Sequence, residues 1–209
     1  FSLGACLGSF ANVCIYRLPK NKQIVSGRSF CPKCKKKINW YDNLPLISFV
    51  LLNGKCRNCK RIISSRYFIV ELITGISFLL IYSNFENPQT IIFLSILVLT
   101  LIMIFFIDLE NFIIPDSLNF TIMGLALLKN FLPNFNTSLI HEINQSIIGG
   151  MVGYSSIWLI IFLYKTFKKI DGMGLGDAKL MAGIGLLFGW QSIPFILYVS
   201  AVLALIMVL

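Results

Sequence analysis

The sequence predicts an all-α fold, a polytopic transmembrane helix bundle with one small cytoplasmic loop domain, and three observations lead there. Hydrophobic residues make up 56% of the 209-residue chain and charged residues 13%, with a mean hydropathy of +0.80, the balance of a chain that places its apolar surface in lipid. The apolar residues fall into runs of helical length, about seven of them. The Lys and Arg residues crowd into a few of the connections, as loops retained on the cytoplasmic side do. Phe1 and Leu209 both lie inside apolar runs, so the terminal helices read as cut and an eighth segment is expected in the full protein. No basic leader or small-residue cleavage site precedes the first run, so no cleaved signal peptide is expected. No low-complexity segment or internal repeat is evident.

The first segment, Phe1 to Tyr16, contains Gly4, Gly8, Ser9 and Asn12, small and polar residues of the kind that let membrane helices approach closely. Arg17 ends it, making 1–17 a truncated first transmembrane helix. Residues 18–66 are soluble loop material, with twelve Lys or Arg against one acid, Asp42. The remainder, 67–209, reads as the transmembrane core. Its runs are Tyr67 to Tyr82, interrupted only by Glu71, then Thr90 to Ile107, a run ending near Phe131, Ser146 to Tyr164, and two more broken near Gln191 and Pro194. Several are shorter than the roughly 20 residues of a comfortable span.

Placing the 18–66 loop inside puts Lys165, Lys168 and Lys169 inside as well. The 83–89 and 132–145 connections then face outward, and neither holds Lys or Arg. Topology and anionic headgroups account for the net charge of +9; nucleic-acid binding is disfavoured, since no recognised module accompanies the basic loop.

That loop carries Cys31-Pro32-Lys33-Cys34 and Cys56-Arg57-Asn58-Cys59, two CxxC pairs separated by 21 residues. Four thiolates at this spacing can close a tetrahedral zinc site, one tight knuckle per pair. A reducing cytoplasm weakens the disulfide alternative. With no ligand position left over and no coordinating histidine, the site is expected to be structural. Cys6 and Cys14 lie in the first helix and read as small packing residues.

Two carboxylates stand where an apolar chain has least reason to keep them. Asp177 closes Gly172-Met173-Gly174-Leu175-Gly176-Asp177 and precedes an almost wholly apolar run. Glycines at alternate positions give a backbone open to unusual dihedrals and to another chain, although a glycine-rich turn with Asp177 as a helix N-cap fits the same residues. Asp108 ends the run Thr90 to Ile107 with no cation nearby in sequence, so its charge needs a partner or a water-filled cavity; pairing with Arg or Lys from another helix is the structural alternative. Asp116, after Pro115, reads as an N-cap, and Glu110 and Asp171 as solvated loop charges. Glu71 could cap, pair with Arg66 or line a site. His141, the only histidine, falls in an outward loop, which excludes a histidine-dependent triad or histidine-bound catalytic metal at the cytoplasmic face.

Gly174-Leu175-Gly176-Asp177 resembles the GxGD signature of membrane aspartyl proteases, and specifically of bacterial type IV prepilin peptidases. Gly8-Ser9-Phe10-Ala11-Asn12-Val13 and Tyr16-Arg17-Leu18-Pro19 resemble that family's opening motif, and the four loop cysteines its zinc-binding domain. Trp40, Pro45, Gly54, Ser64-Ser65-Arg66-Tyr67 and Glu71 fall in the family's order, and Ile107-Asp108 with Ile114-Pro115-Asp116 resembles the stretch holding its first catalytic aspartate. Phe68 departs from the family, which commonly has proline after Arg-Tyr. The resemblance implies an aspartic endopeptidase of the bacterial inner membrane, with Asp108 and Asp177 catalytic. It would cleave the basic leader from prepilins and pilin-like secretion proteins at the cytoplasmic face. It also implies methylation of the new N-terminus with S-adenosylmethionine, for which no glycine-rich nucleotide loop is visible.

Two carboxylates brought close share a proton, which is the chemistry such a dyad needs. Five of the nine acids, Asp108, Glu110, Asp116, Asp171 and Asp177, lie in the two polar patches beside the membrane, the one acidic mouth on a basic face. A Lys- and Arg-rich leader would be drawn to it and enter along Gly174 and Gly176. The rival from another class is an ion-coupled transporter or scaffold, since membrane acids mark ion paths; its sites sit near the midplane between repeated helices, whereas these acids lie at helix ends.

Overall fold

The structure, a computed structural model, describes residues 1–24, 29–31, 33–129, 143–168 and 174–208. Among the described residues it is all-α: α1 (Ser2–Arg17), α2 (Ile47–Leu51), α3 (Ser65–Asn84), α4 (Pro88–Asn111), α5 (Asp116–Leu128), α6 (Ile143–Lys168), α7 (Leu175–Phe188) and α8 (Ser192–Val208), with two short 3-10 turns at Leu18–Lys20 and Trp40–Asn43. Setting aside the short α2, the other seven helices are the seven apolar runs. α3, α4 and nearly all of α6 are long and apolar enough to cross a membrane, and α5 and most of α8 are shorter apolar helices. The protein is a multi-pass membrane protein.

The helices outrun the apolar runs because their polar ends are capped. The Ser64 hydroxyl accepts from the Arg66 N–H at 3.3 Å, and the Asn87 side-chain oxygen accepts from the Gln89 N–H at 2.9 Å, with Pro88 opening the first turn. α4 continues past Asp108 to Asn111. It stops where Phe112 turns left-handed, φ 53°, and gives its N–H to the Asp108 carbonyl.

The chain forms two compact units, Phe1–Phe112 and Ile113–Leu209. In the first, α1 packs on α3 and both pack on α4. The approach is close enough that a Cβ on Gly8 would lie 2.8 Å from the Glu71 Cα, as small-residue seams between membrane helices allow. Ala11, Ile15, Val70 and Ile107 fill the interior. Hydroxyls buried there bond back along their own helices, Thr74 to the Val70 carbonyl and Thr100 to Ile96.

In the second unit α7 is central, packed by α5 and α6 and touched by α8. Gly149 of α6 and Gly185 of α7 meet so closely that a Cβ on either would strike the other's backbone. Lys129, at the end of α5, is buried, and its ammonium donates to the Leu187 carbonyl in the last turn of α7. A cation there complements the negative end of that helix's dipole.

Candidate active site and metal centre

Asp108 lies exposed in the last turn of α4. Among the described residues no cation pairs with it. Glu110 is not a free solvated charge, because its carboxylate meets the Arg66 guanidinium at 2.5 Å. Arg66 opens α3, so this pair joins the end of α4 to the start of α3 and sets Asp108 and the cysteine loop at the same end of the first unit. Glu71 neither caps a helix nor pairs with Arg66. It is buried in α3 and accepts the Leu46 N–H at 2.8 Å, holding a loop residue whose φ is 62°. Positive φ is unfavourable for leucine, so this bond offsets local strain.

In the second unit α7 begins at Leu175 with Gly174 as its N-cap. Asp177 is thus not the cap; it is half-buried in the first helical turn, its N–H bonded to the Gly174 carbonyl at 3.2 Å. A carboxylate in a first turn is stabilised by the positive end of the helix. The two glycines differ in function. Gly174 has φ −82°, which any residue can take, and a Cβ there would lie 3.8 Å from an Asp177 carboxylate oxygen, an ordinary contact. Gly176 is helical, and a Cβ on it would lie 3.1 Å from the Ile114 Cβ. Its carbonyl accepts from the buried Asn119 amide at 3.3 Å. Asp116 is the first residue of α5 rather than its cap, and its carboxylate receives Lys179 at 2.7 Å. Of the five acids expected to form an acidic mouth, then, Glu110 and Asp116 each face a cation. Asp171 lies outside the described residues, as do Gly172 and Met173.

The four loop cysteines converge. The sulfurs of Cys31, Cys34, Cys56 and Cys59 all lie within 4.8 Å of one another. The two CxxC segments are built alike: the Cys31 N–H bonds the Lys36 carbonyl and the Lys35 N–H the Cys31 carbonyl, while Cys56 N–H bonds Arg61 and Lys60 N–H bonds Cys56. Lys35 and Lys60 both take positive φ, 58° and 56°. The backbone N–H of Cys59, the strongest of several donors, holds the Cys56 thiol down to about 7. Four soft sulfur donors fit one tetrahedrally bound metal ion. Among the described residues of 18–66 only Cys31, Ser48 and Gly54 are buried, so the loop has almost no apolar core of its own. Asp42, its one acid, grips Arg57 of the second knuckle at 2.7 Å. Cys6 and Cys14 stay in α1, away from this cluster.

The same end of the first unit contains a cavity of about 360 Å³ beneath the cysteine loop, lined by Ser9, Asn12 and Tyr16 of α1 and by Tyr67 and Glu71 of α3. Asn12 is 1% exposed; its amide N–H donates to the Tyr67 carbonyl at 3.1 Å, and its side-chain oxygen receives no donor. Sequence reasoning read Asn12 as a packing residue within the opening motif and did not foresee the partners of Glu110 and Asp116. Those partners stand 44 and 63 residues away, a separation that local sequence does not encode.

Comparison with known proteins identifies the family. Residues 2–85 match the family described as Bacterial Peptidase A24 N-terminal domain, and residues 95–209 the Type IV leader peptidase family. A Vibrio cholerae protein named prepilin leader peptidase/N-methyltransferase is 39% identical, across 96% of this chain and 80% of that protein. Relatives of the same name from Klebsiella pneumoniae and Neisseria gonorrhoeae are 35% and 33% identical, across 93% and 98% of this chain and 86% and 78% of theirs. No solved structure matches. Two matched regions in succession, with relatives of one name matched over most of their length, establish that the chain belongs to the type IV leader peptidase family.

Proposed function

We propose that the protein is an aspartic endopeptidase of the bacterial inner membrane that removes the basic leader from prepilins and pilin-like secretion proteins at the cytoplasmic face, with Asp108 and Asp177 as its catalytic pair. The observation that carries this reading is the pairing of the neighbouring acids. Arg66 takes up the charge of Glu110 and Lys179 that of Asp116, whereas Asp108 has no cation among the described residues. An aspartate left without a counter-ion at the end of an apolar helix suits shared-proton chemistry better than a structural role.

Two carboxylates held close cannot both ionise easily, so the pair carries one proton between them. The ionised member removes a proton from water as it attacks the scissile carbonyl, and the protonated member gives its proton to the carbonyl oxygen or the departing amine. The proton belongs to the pair, so base and acid are assigned to the dyad and not to one residue. In this reading Gly174 leaves room for the extended substrate beside Asp177, residues 18–66 are a zinc-binding domain that Cys31, Cys34, Cys56 and Cys59 fold around the metal, and 67–209 hold the peptidase core.

The relatives' name also supports N-methylation of the new N-terminus. S-adenosylmethionine, when bound, would supply an electrophilic methyl group for the new terminal amine. The chain's own part is to hold that cosubstrate and keep the amine free of its proton.

The decisive experiment is cleavage of a leader-bearing substrate by purified Asp108→Asn and Asp177→Asn variants. Each is expected to lose at least about a thousandfold in kcat, the scale on which removing one member of a catalytic unit acts, with helix content and zinc retained. Full activity in either variant would overturn the dyad.

A further inference from the structure

Asn119 has no part in peptide cleavage as set out above, and packing alone does not account for an amide at its position. It lies one turn into α5 and is 1% exposed. Its amide N–H donates to the Gly176 carbonyl at 3.3 Å, while its side-chain oxygen is buried and, among the described residues, receives no donor. A buried amide with half its capacity unmet is costly, whereas an apolar side chain of similar shape in its place would be neutral or stabilising. Stability therefore does not explain the residue, and the group it holds does.

Gly176 is second in α7, and its carbonyl belongs to the peptide that joins it to Asp177. The first turn of a helix is the one least held by its own ladder, because its N–H groups have no partner within the helix. The start of α5 and the residues before it grip this turn at three points. Asn119 meets the Gly176 carbonyl, Ile114 packs so near Gly176 that a Cβ there would lie 3.1 Å from its own, and Asp116 pairs with Lys179 at 2.7 Å. The ion pair is open to water and holds weakly, and the Ile114 contact is apolar and non-directional. Only the amide fixes how the Gly176–Asp177 peptide is turned. We propose that Asn119 is a positioning residue for Asp177, holding through the Gly176 carbonyl the peptide that sets where the carboxylate stands. The inference rests on the dyad reading above and deepens it. A displacement of about 1 Å at a reacting group costs about a hundredfold in rate, so a partial loss of this hold reaches kcat without reaching substrate affinity.

Cleavage kinetics, thermal unfolding and amide exchange of the full-length protein in detergent test it. Asn119→Leu keeps the shape and loses the donor, and Asn119→Ala loses the donor without added bulk. Both are expected to lower kcat about tenfold with KM within about twofold. Asn119→Leu should do so at an unchanged or raised unfolding temperature, with the amides of residues 178–181 exchanging faster and those of α3 unaltered. A residue that only packs would lower the unfolding temperature and leave kcat per folded molecule as it was. Unchanged kcat in either folded variant, a rise in KM that accounts for the whole loss, or failure of both variants to fold would overturn the positioning role. Asp177→Asn measured alongside separates the two readings: its inactivity leaves the dyad standing whatever Asn119 does, and its full activity would overturn the dyad and this role together.

Discussion

Glu110 reaches Arg66 across 44 residues of sequence with one side chain 45% exposed and the other 10%. A pair that open to water contributes about 0–1 kcal/mol to stability, so its main effect is on the field beside Asp108. Glu110→Gln leaves the Arg66 charge uncompensated where a Lys- and Arg-rich leader must arrive. KM for a basic leader is therefore expected to rise severalfold with little change in kcat, the pattern of lost uniform binding, and Asp171→Asn should add to the rise. Arg66→Gln should act in the opposite direction, and Glu110→Gln with Arg66→Gln should return KM close to its original value. A leader whose Lys and Arg are replaced by Gln should respond to none of these, and moderate salt should shrink every difference. Equal responses from both leaders would show that the pair only fastens α3 to α4. At this scale the sequence disclosed the acids but not their partners. Asp108 and Asp177 stood out as charges in apolar surroundings and Glu110 read as a solvated loop charge, whereas Arg66 and Lys179 become partners only through packing.

The helices were legible as elements because the pattern that marks them is local. Each apolar run became a helix, and the misjudged ends were polar turns kept helical by a cap, as at Ser64 and Asn87, or by the absence of any breaker, as from Asp108 to Asn111. The same shift places Asp116, expected as a cap, in a first turn, and does the same for Asp177, for which a cap was the alternative reading, since Gly174 and Pro115 end the extended chain before them. The cysteine loop is the opposite case. The convergence of its four cysteines was legible from spacing, but the likeness of the two knuckles was not, because it resides in backbone bonds and in the left-handed Lys35 and Lys60. With so little buried among the described residues of 18–66, the proposed zinc would supply most of the folding energy there, as in small zinc modules. Elemental analysis of the purified protein should find about one zinc per chain, four thiolates making one closed site. Cys31→Ser or Cys59→Ser should lose it and make 18–66 the first segment cut by protease, with α3 and α4 intact. Protein purified without chelator and found free of zinc would refute the site.

Across the whole molecule the charge distribution follows the membrane. Eleven cations lie between α1 and α3, and the α3–α4 connection holds none. Lys129 is the apparent exception at an end expected to face outward. Its ammonium is buried against the Leu187 carbonyl, so its charge is taken up by a helix end and no longer acts as a retention signal. On the charge rule we propose that the cysteine loop, and with it the end of the first unit that carries Asp108, faces the cytoplasm. Two exposed positions test this. Leu51, 76% exposed on α2 within the loop, and Glu86, exposed in the α3–α4 connection, would each be changed to cysteine. A membrane-impermeant maleimide should label Glu86→Cys in intact spheroplasts. It should label Leu51→Cys only after the membrane is opened, each read against the unaltered protein with its own cysteines. Labelling of Leu51→Cys from outside would place Asp108 on the outer face, where a leader still attached to an unexported pilin could not reach it, and the cytoplasmic peptidase reading would fall with the topology.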